Sequence, residues 1–193
     1  MIRLACASVI LFAFVLGPAA AEPKRQLDAH DHGHGTLNIA IEGKRIRMEL
    51  EVPGADIVGF EHAAKSVGDK AKVKAAEKTL SSPLSLFVLP DAAGCKVKSS
   101  DISVLGEEHD VHAAHDHRSD RHNQHADEKS HSEFHGEWTL TCANIDAITT
   151  MKFPYFTVFP GAEELEVKMI SKNSQKAFKV GRDKAVIDLR GII

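Results

Sequence analysis

Gly35-Thr36-Leu37-Asn38-Ile39-Ala40-Ile41-Glu42-Gly43-Lys44-Arg45-Ile46-Arg47-Met48-Glu49-Leu50-Glu51-Val52 is the stretch that decides the fold. Leu37, Ile39 and Ile41 alternate with Thr36, Asn38 and Ala40, and Glu42-Gly43-Lys44 interrupts the run. Ile46, Met48, Leu50 and Val52 then alternate with Arg45, Arg47, Glu49 and Glu51. Successive side chains of a strand point to opposite faces, so apolar residues at every second position mean one buried face and one wet face. Two such runs about a glycine turn predict a β-hairpin lying on a core, ended by Pro53-Gly54.

Further along, the pattern adds strands and a helix. A short helix is expected over Phe60 to Ser66 and a longer one over Asp69 to Leu80, capped by Asp69, with Val73, Ala76 and Leu80 on one side. Ser82-Pro83 stops it. Leu84 to Leu89 is a continuous apolar run fit for a buried strand, Pro90 to Gly94 reads as a turn, and Cys95 to Leu105 as another strand. From His135 onward, Trp138, Leu140 and Cys142 face one way while Glu137, Thr139 and Thr141 face the other. Phe153 to Phe159 is apolar and strand-like, and Leu165, Val167 and Met169 alternate with charged neighbours. Lys176 to Val180 and Ala185 to Leu189 read as a closing hairpin about Gly181-Arg182-Asp183. The expected fold is α+β: a strand-rich single domain of mostly antiparallel sheet, with one or two helices, over residues 22–193.

The first 21 residues indicate export. Met1-Ile2-Arg3 gives a positive start, Leu4 to Leu16 is nearly all apolar, and Ala19-Ala20-Ala21 supplies the small residues of a signal-peptidase site. The alternative is an N-terminal anchor, but the apolar run falls short of the roughly 20 residues that spanning requires, and no later segment reaches that length. The expected location is therefore the periplasm. Cleavage after Ala21 removes Arg3, leaving 23 basic against 27 acidic side chains, which is no footprint for nucleic acid. The 12 histidines are the anomaly. Their full protonation near pH 5 would carry the mature chain from a formal −4 to about +8.

Most histidines lie in a tract from Glu107 to Glu133, which with His135 forms a His-rich loop over 107–135. It contains His109, His112, His115, His117, His122, His125 and His131, interleaved with acids that include Asp116. Between Val111 and Phe134 no aliphatic residue larger than alanine occurs, so the stretch buries too little apolar surface to offset its ordering entropy. It is expected to be a disordered insertion between strands. A second group, His30, His32 and His34, precedes the first strand.

Imidazole nitrogen and carboxylate oxygen bind zinc, usually four to an ion. His115-Asp116-His117 and His30-Asp31-His32 share a His-Asp-His triplet whose histidines project to one side of an extended chain, so a pliable segment can wrap both around one cation. Many ligand combinations suffice, which predicts several labile Zn2+ sites. Cu2+ or Ni2+ would suit the same donors. His135, beside strand residues, could join His30, His32 and His34 in a more ordered site if strands 37–41 and 136–142 are neighbours. The competing reading is a pH-responsive solvated linker, and His62 alone reads as an ordinary surface or core residue.

Cys6 leaves with the signal, so Cys95 and Cys142 remain. Two cysteines in an oxidising compartment predict a disulfide, against the alternative of paired thiolate zinc ligands. Bridging them would staple the strands that flank the tract and fix the base of the loop, leaving its tip free. Closing a loop of roughly 48 residues stabilises by about 4 kcal/mol in the chain-entropy model.

The block from His32 to Gly43 resembles the opening of the ZrgA-like family of periplasmic zinc-uptake proteins. So do Leu86-Phe87-Val88-Leu89-Pro90 with Ala92-Ala93-Gly94-Cys95, and Phe159-Pro160-Gly161 with Glu163-Glu164-Leu165-Glu166-Val167. A histidine-rich insertion before His135-Gly136-Glu137-Trp138 fits the same order, and the likeness spans the mature chain. The resemblance implies acquisition of zinc across the Gram-negative envelope, with components of an envelope zinc-import system as partners. Zinc capture or delivery without catalysis is the leading expectation. Copper or nickel buffering and a structural envelope module are the alternatives. A hydrolytic zinc enzyme would need a fixed open site with a positioned base, and the chain carries no HExxH, GxSxG or Gly-rich phosphate loop.

Overall fold

The computed structural model describes residues 32–106, 131–172 and 174–193. The expected signal segment, His30, Asp116, the histidines from His109 to His125 and the expected disorder of the insertion lie outside the described residues. The expected hairpin forms from β1 (His34–Glu42) and β2 (Arg45–Pro53), which pair Leu37 with Leu50, Ile39 with Met48 and Ile41 with Ile46. The remaining strands are β3 (Cys95–Leu105), β4 (Glu133–Cys142), β5 (Thr150–Lys152), β6 (Glu164–Ile170), β7 (Gln175–Gly181) and β8 (Val186–Asp188). A six-stranded sheet runs β3-β4-β2-β1-β6-β7, antiparallel except for β1 against β6, and β5 pairs with β8 separately. The fold is α+β and strand-rich, as expected.

One face of the large sheet is apolar. Leu37, Leu50, Phe134, Trp138, Leu140, Leu165 and Val167 are all buried on it. Against it lie the helices: α1 (Gly54–Val58), α2 (Val67–Leu80), α3 (Pro83–Leu86) and α4 (Tyr155–Val158). Val73, Ala76 and Leu80 are the buried side of α2, as their spacing predicted. Phe87 anchors an aromatic cluster with Trp138, Phe153 and Tyr155, and Trp138 Nε1 donates to the Leu80 carbonyl at 3.1 Å. Each large side chain taken from water in this way contributes about 1.5–3 kcal/mol.

Several local expectations are corrected. No helix forms over 60–66, because the Glu61 carbonyl accepts the Ser132 N–H at 2.7 Å and is lost to an i→i+4 ladder. The helix falls instead at Gly54–Val58, ended by Gly59 at φ 82°. Helix α2 is capped by Ser66, whose Oγ accepts the Asp69 N–H; Asp69 occupies the first turn. Leu84 to Leu89 and Phe153 to Phe159 are not strands. Pro83 and Pro154 have φ preset for a helical turn and no N–H to give a ladder, so each run begins with a short helix. Of the first run, Val88 alone bridges, to Lys152. The closing hairpin does not form: β7 pairs with β6, and β8 crosses to β5. Strands 37–41 and 136–142 are not neighbours either, because β2 lies between them.

Cys95 and Cys142 form the expected disulfide, facing each other across the β3–β4 ladder with Cα atoms 3.9 Å apart. The bridge does not sit at the base of the tract. Antiparallel pairing sets the first residue of β3 against the last of β4, whereas the tract joins the opposite end, at Leu105 and Glu133. None of the described helices is long and apolar enough to cross a membrane.

Candidate metal centre

Register places the described histidines of both groups at one end of the sheet. Thr36 pairs with Glu51, Glu51 with His135, and His135 with Ser103, so the start of β1, the end of β2, the start of β4 and the end of β3 share an edge. The chain leaves at Gly106 and returns at His131. A Cβ on Gly106 would stand 2.5 Å from the His131 carbonyl oxygen, so the two ends of the tract are side by side.

His32-Gly33-His34 is pinned through its glycine. Gly33 takes φ +84°, a conformation L side chains rarely adopt, and its N–H donates to Asp56 Oδ1 at 2.8 Å. Its carbonyl accepts the N–H groups of Glu163 and Glu164, both at 2.8 Å. Asp56 is buried on α1, and its Oδ2 has no hydrogen-bond partner among the described residues. Burial pushes this carboxyl above its ordinary range; the Gly33 N–H and His32 oppose the shift, and the nearby Glu61 adds to it.

On the other side, the Gly54 N–H donates to the Ser132 carbonyl and the Ser132 N–H to the Glu61 carbonyl, both at 2.7 Å. These bonds fix the backbone at His131. The His131 and His32 rings then meet on a single carboxylate. His131 Nδ1 lies 2.5 Å from Glu61 Oε2, and His32 Nδ1 lies 3.1 Å from Glu61 Oε1. The glutamate side chain is 15% exposed, the histidine side chains 57% and 69%.

The other two predicted histidines have their own carboxylates. His135 Nε2 is 3.2 Å from Glu133 Oε2, and its Nδ1 is 3.8 Å from Glu51 Oε1. His34 Nδ1 is 3.7 Å from Glu164 Oε1, in a shallow cleft of about 290 Å³ with Thr36, Glu166 and Lys179. Thus His32 and His131 are brought together, while His34 and His135 flank them on the same sheet end. Among the described residues, no group of three His, Cys, Asp or Glu side chains is placed to hold a metal ion. The disulfide removes both thiolates, leaving imidazole and carboxylate as donors. His62 is exposed and stacks on Phe60 with ring centroids 4.6 Å apart.

Sequence reasoning missed Glu61. It lies 70 residues from His131 and outside any histidine-rich run, so only the topology reveals it.

A sheet end collecting imidazole–carboxylate pairs has the donor chemistry of a protein that handles divalent metal ions. The family profile described as ZrgA family zinc uptake protein matches residues 29–189, and the chain belongs to that family. No curated protein matches the chain.

Proposed function

We propose that the chain is a non-catalytic zinc-binding protein of the periplasm, which captures zinc or hands it on for uptake across the Gram-negative envelope. The observation that carries this reading is the convergence of histidine-bearing segments at one sheet end: His32 and His34 at the start of β1, and both ends of the tract at Leu105 and Glu133. Residues His30, His109, His112, His115, Asp116, His117, His122 and His125 would supply further labile ligands from segments that join this end. An open, exchangeable sphere suits capture and hand-over, because an ion held in a closed tetrahedron leaves slowly. The family's zinc-uptake role supports zinc as the cargo.

The test compares the mature protein with a variant in which His109, His112, His115, His117, His122 and His125 are all asparagine. Zinc stoichiometry from calorimetry is expected to fall in the variant. An unchanged stoichiometry overturns a role for the tract, and tighter retention of copper or nickel against equal zinc overturns the choice of metal. Release by osmotic shock of a product lacking residues 1–21 checks the compartment; retention in the cytoplasm contradicts it.

A further inference from the structure

We propose that Glu61 organises a discrete two-histidine zinc site, in which it holds Nδ1 of both His32 and His131 so that their Nε2 atoms bind one cation. The inference rests on the zinc-handling reading above and deepens it by naming an ordered site and the residue that orients it.

Each oxygen of Glu61 faces a different ring: Oε1 meets His32 Nδ1 at 3.1 Å, and Oε2 meets His131 Nδ1 at 2.5 Å. A neutral imidazole that donates Nδ1–H to a carboxylate carries its lone pair on Nε2. That is the tautomer a metal requires, and a carboxylate behind the ring also makes the nitrogen a better ligand. His131 hydrogen-bonds to one oxygen and His32 Nδ1 lies at ion-pair distance from the other, so a single carboxylate stands behind both rings. The rings are more than half exposed while Glu61 is not, so the ligand side is open and the orienting side is closed.

The backbone supports are rigid on both sides. Gly33 is tied to Asp56, Glu163 and Glu164, and Ser132 is tied to Glu61 and Gly54. Side chains on such fixed backbone are what a site of defined geometry needs. Asp56 holds the His32 side of the site in place. It is 4% exposed, it anchors the turn between His32 and His34, and its Oδ2 lacks a hydrogen-bond partner among the described residues. With two protein nitrogens bound, water completes the sphere, and the ion stays exchangeable.

The experiment uses the full mature chain with His30, His109, His112, His115, His117, His122 and His125 replaced by asparagine. Zinc is followed by calorimetry, and ring tautomers by nitrogen-detected NMR of the histidines. One zinc equivalent is expected to remain. Metal-free His32 and His131 should be Nδ1–H tautomers, and zinc should shift their Nε2 signals. Glu61→Gln is expected to weaken that equivalent by roughly 10–100-fold and to mix the tautomers; His32→Asn or His131→Asn should abolish it. Affinity unmoved by Glu61→Gln in a folded variant, or Nε2 signals unmoved by zinc, overturns the inference. If the unsubstituted protein binds zinc and this background binds none, the ordered site fails alone. If the unsubstituted protein binds none, the functional reading fails with it.

Discussion

Leu105 faces Glu133 across the last rung of the β3–β4 ladder, so the histidine tract begins and ends at one point. The opposite end of the same ladder is closed by Cys95 and Cys142. The hairpin therefore has a covalent end and a histidine-bearing end, and the two tasks are separated along its length. The ladder also carries a bulge between Val97 and Ser99 on its outer strand. A bulge and the charged Lys96 and Lys98 make that edge a poor template for another chain.

Loss of the disulfide through Cys95→Ser with Cys142→Ser is expected to lower stability by about 2–5 kcal/mol, read from urea unfolding. Because the bridge is remote from the tract, zinc stoichiometry of the folded variant should not change. A changed stoichiometry would show that the thiols, not the imidazoles, carry the metal.

Gly33→Ala places a side chain at φ +84° and its Cβ 3.0 Å from Glu163 Cγ. The left-handed conformation alone costs about 1–2 kcal/mol. Thermal unfolding should fall accordingly, and the His32 ring signals should shift in NMR. Stability equal to wild type would contradict the pinned turn.

Trp138 is the sole tryptophan, and its Nε1–H satisfies the carbonyl of Leu80 at the end of α2. Trp138→Phe retains most of the apolar contact but strips that acceptor of its donor. The expected loss is about 1–3 kcal/mol, measured by circular dichroism in urea. A loss under a few tenths would mean that the bond contributes nothing.

Asp56 gives a pH dependence with a definite sign. Its folded-state pKa is raised above 3.8, chiefly by burial. The folded chain thus holds this proton more tightly than the unfolded chain, so the stability tied to it is present below pH 3.8 and lost as pH rises through the folded value. Asp56→Asn keeps an oxygen for the Gly33 N–H and removes the buried charge. The metal-free variant should melt above wild type at pH 7, with the gap closing toward pH 3.8. A gap that widened on acidification would contradict the assignment.

What the sequence disclosed follows from period and composition. The β1–β2 hairpin, β4 and β6 were legible because strict alternation admits one arrangement of faces, β3 from a looser alternation that its bulge between Val97 and Ser99 interrupts, and the disulfide because Cys95 and Cys142 are the only cysteines beyond the expected signal. The runs Leu84 to Leu89 and Phe153 to Phe159 misled, since continuous apolarity fits a buried strand or a short helix equally, and Pro83 and Pro154 decided between them. Two non-local choices had no signal in the chain: β8 pairing with β5, and β2 separating β1 from β4. The histidines announced themselves; the glutamate between them did not.

The most direct measurement is equilibrium dialysis of the tag-free mature protein against micromolar zinc at pH 7.4 and again at pH 5.5. The account predicts more than one zinc retained at the higher pH and release at the lower, because protons compete with the metal for imidazole nitrogen. Protein that emerges from dialysis at pH 7.4 without zinc would contradict it.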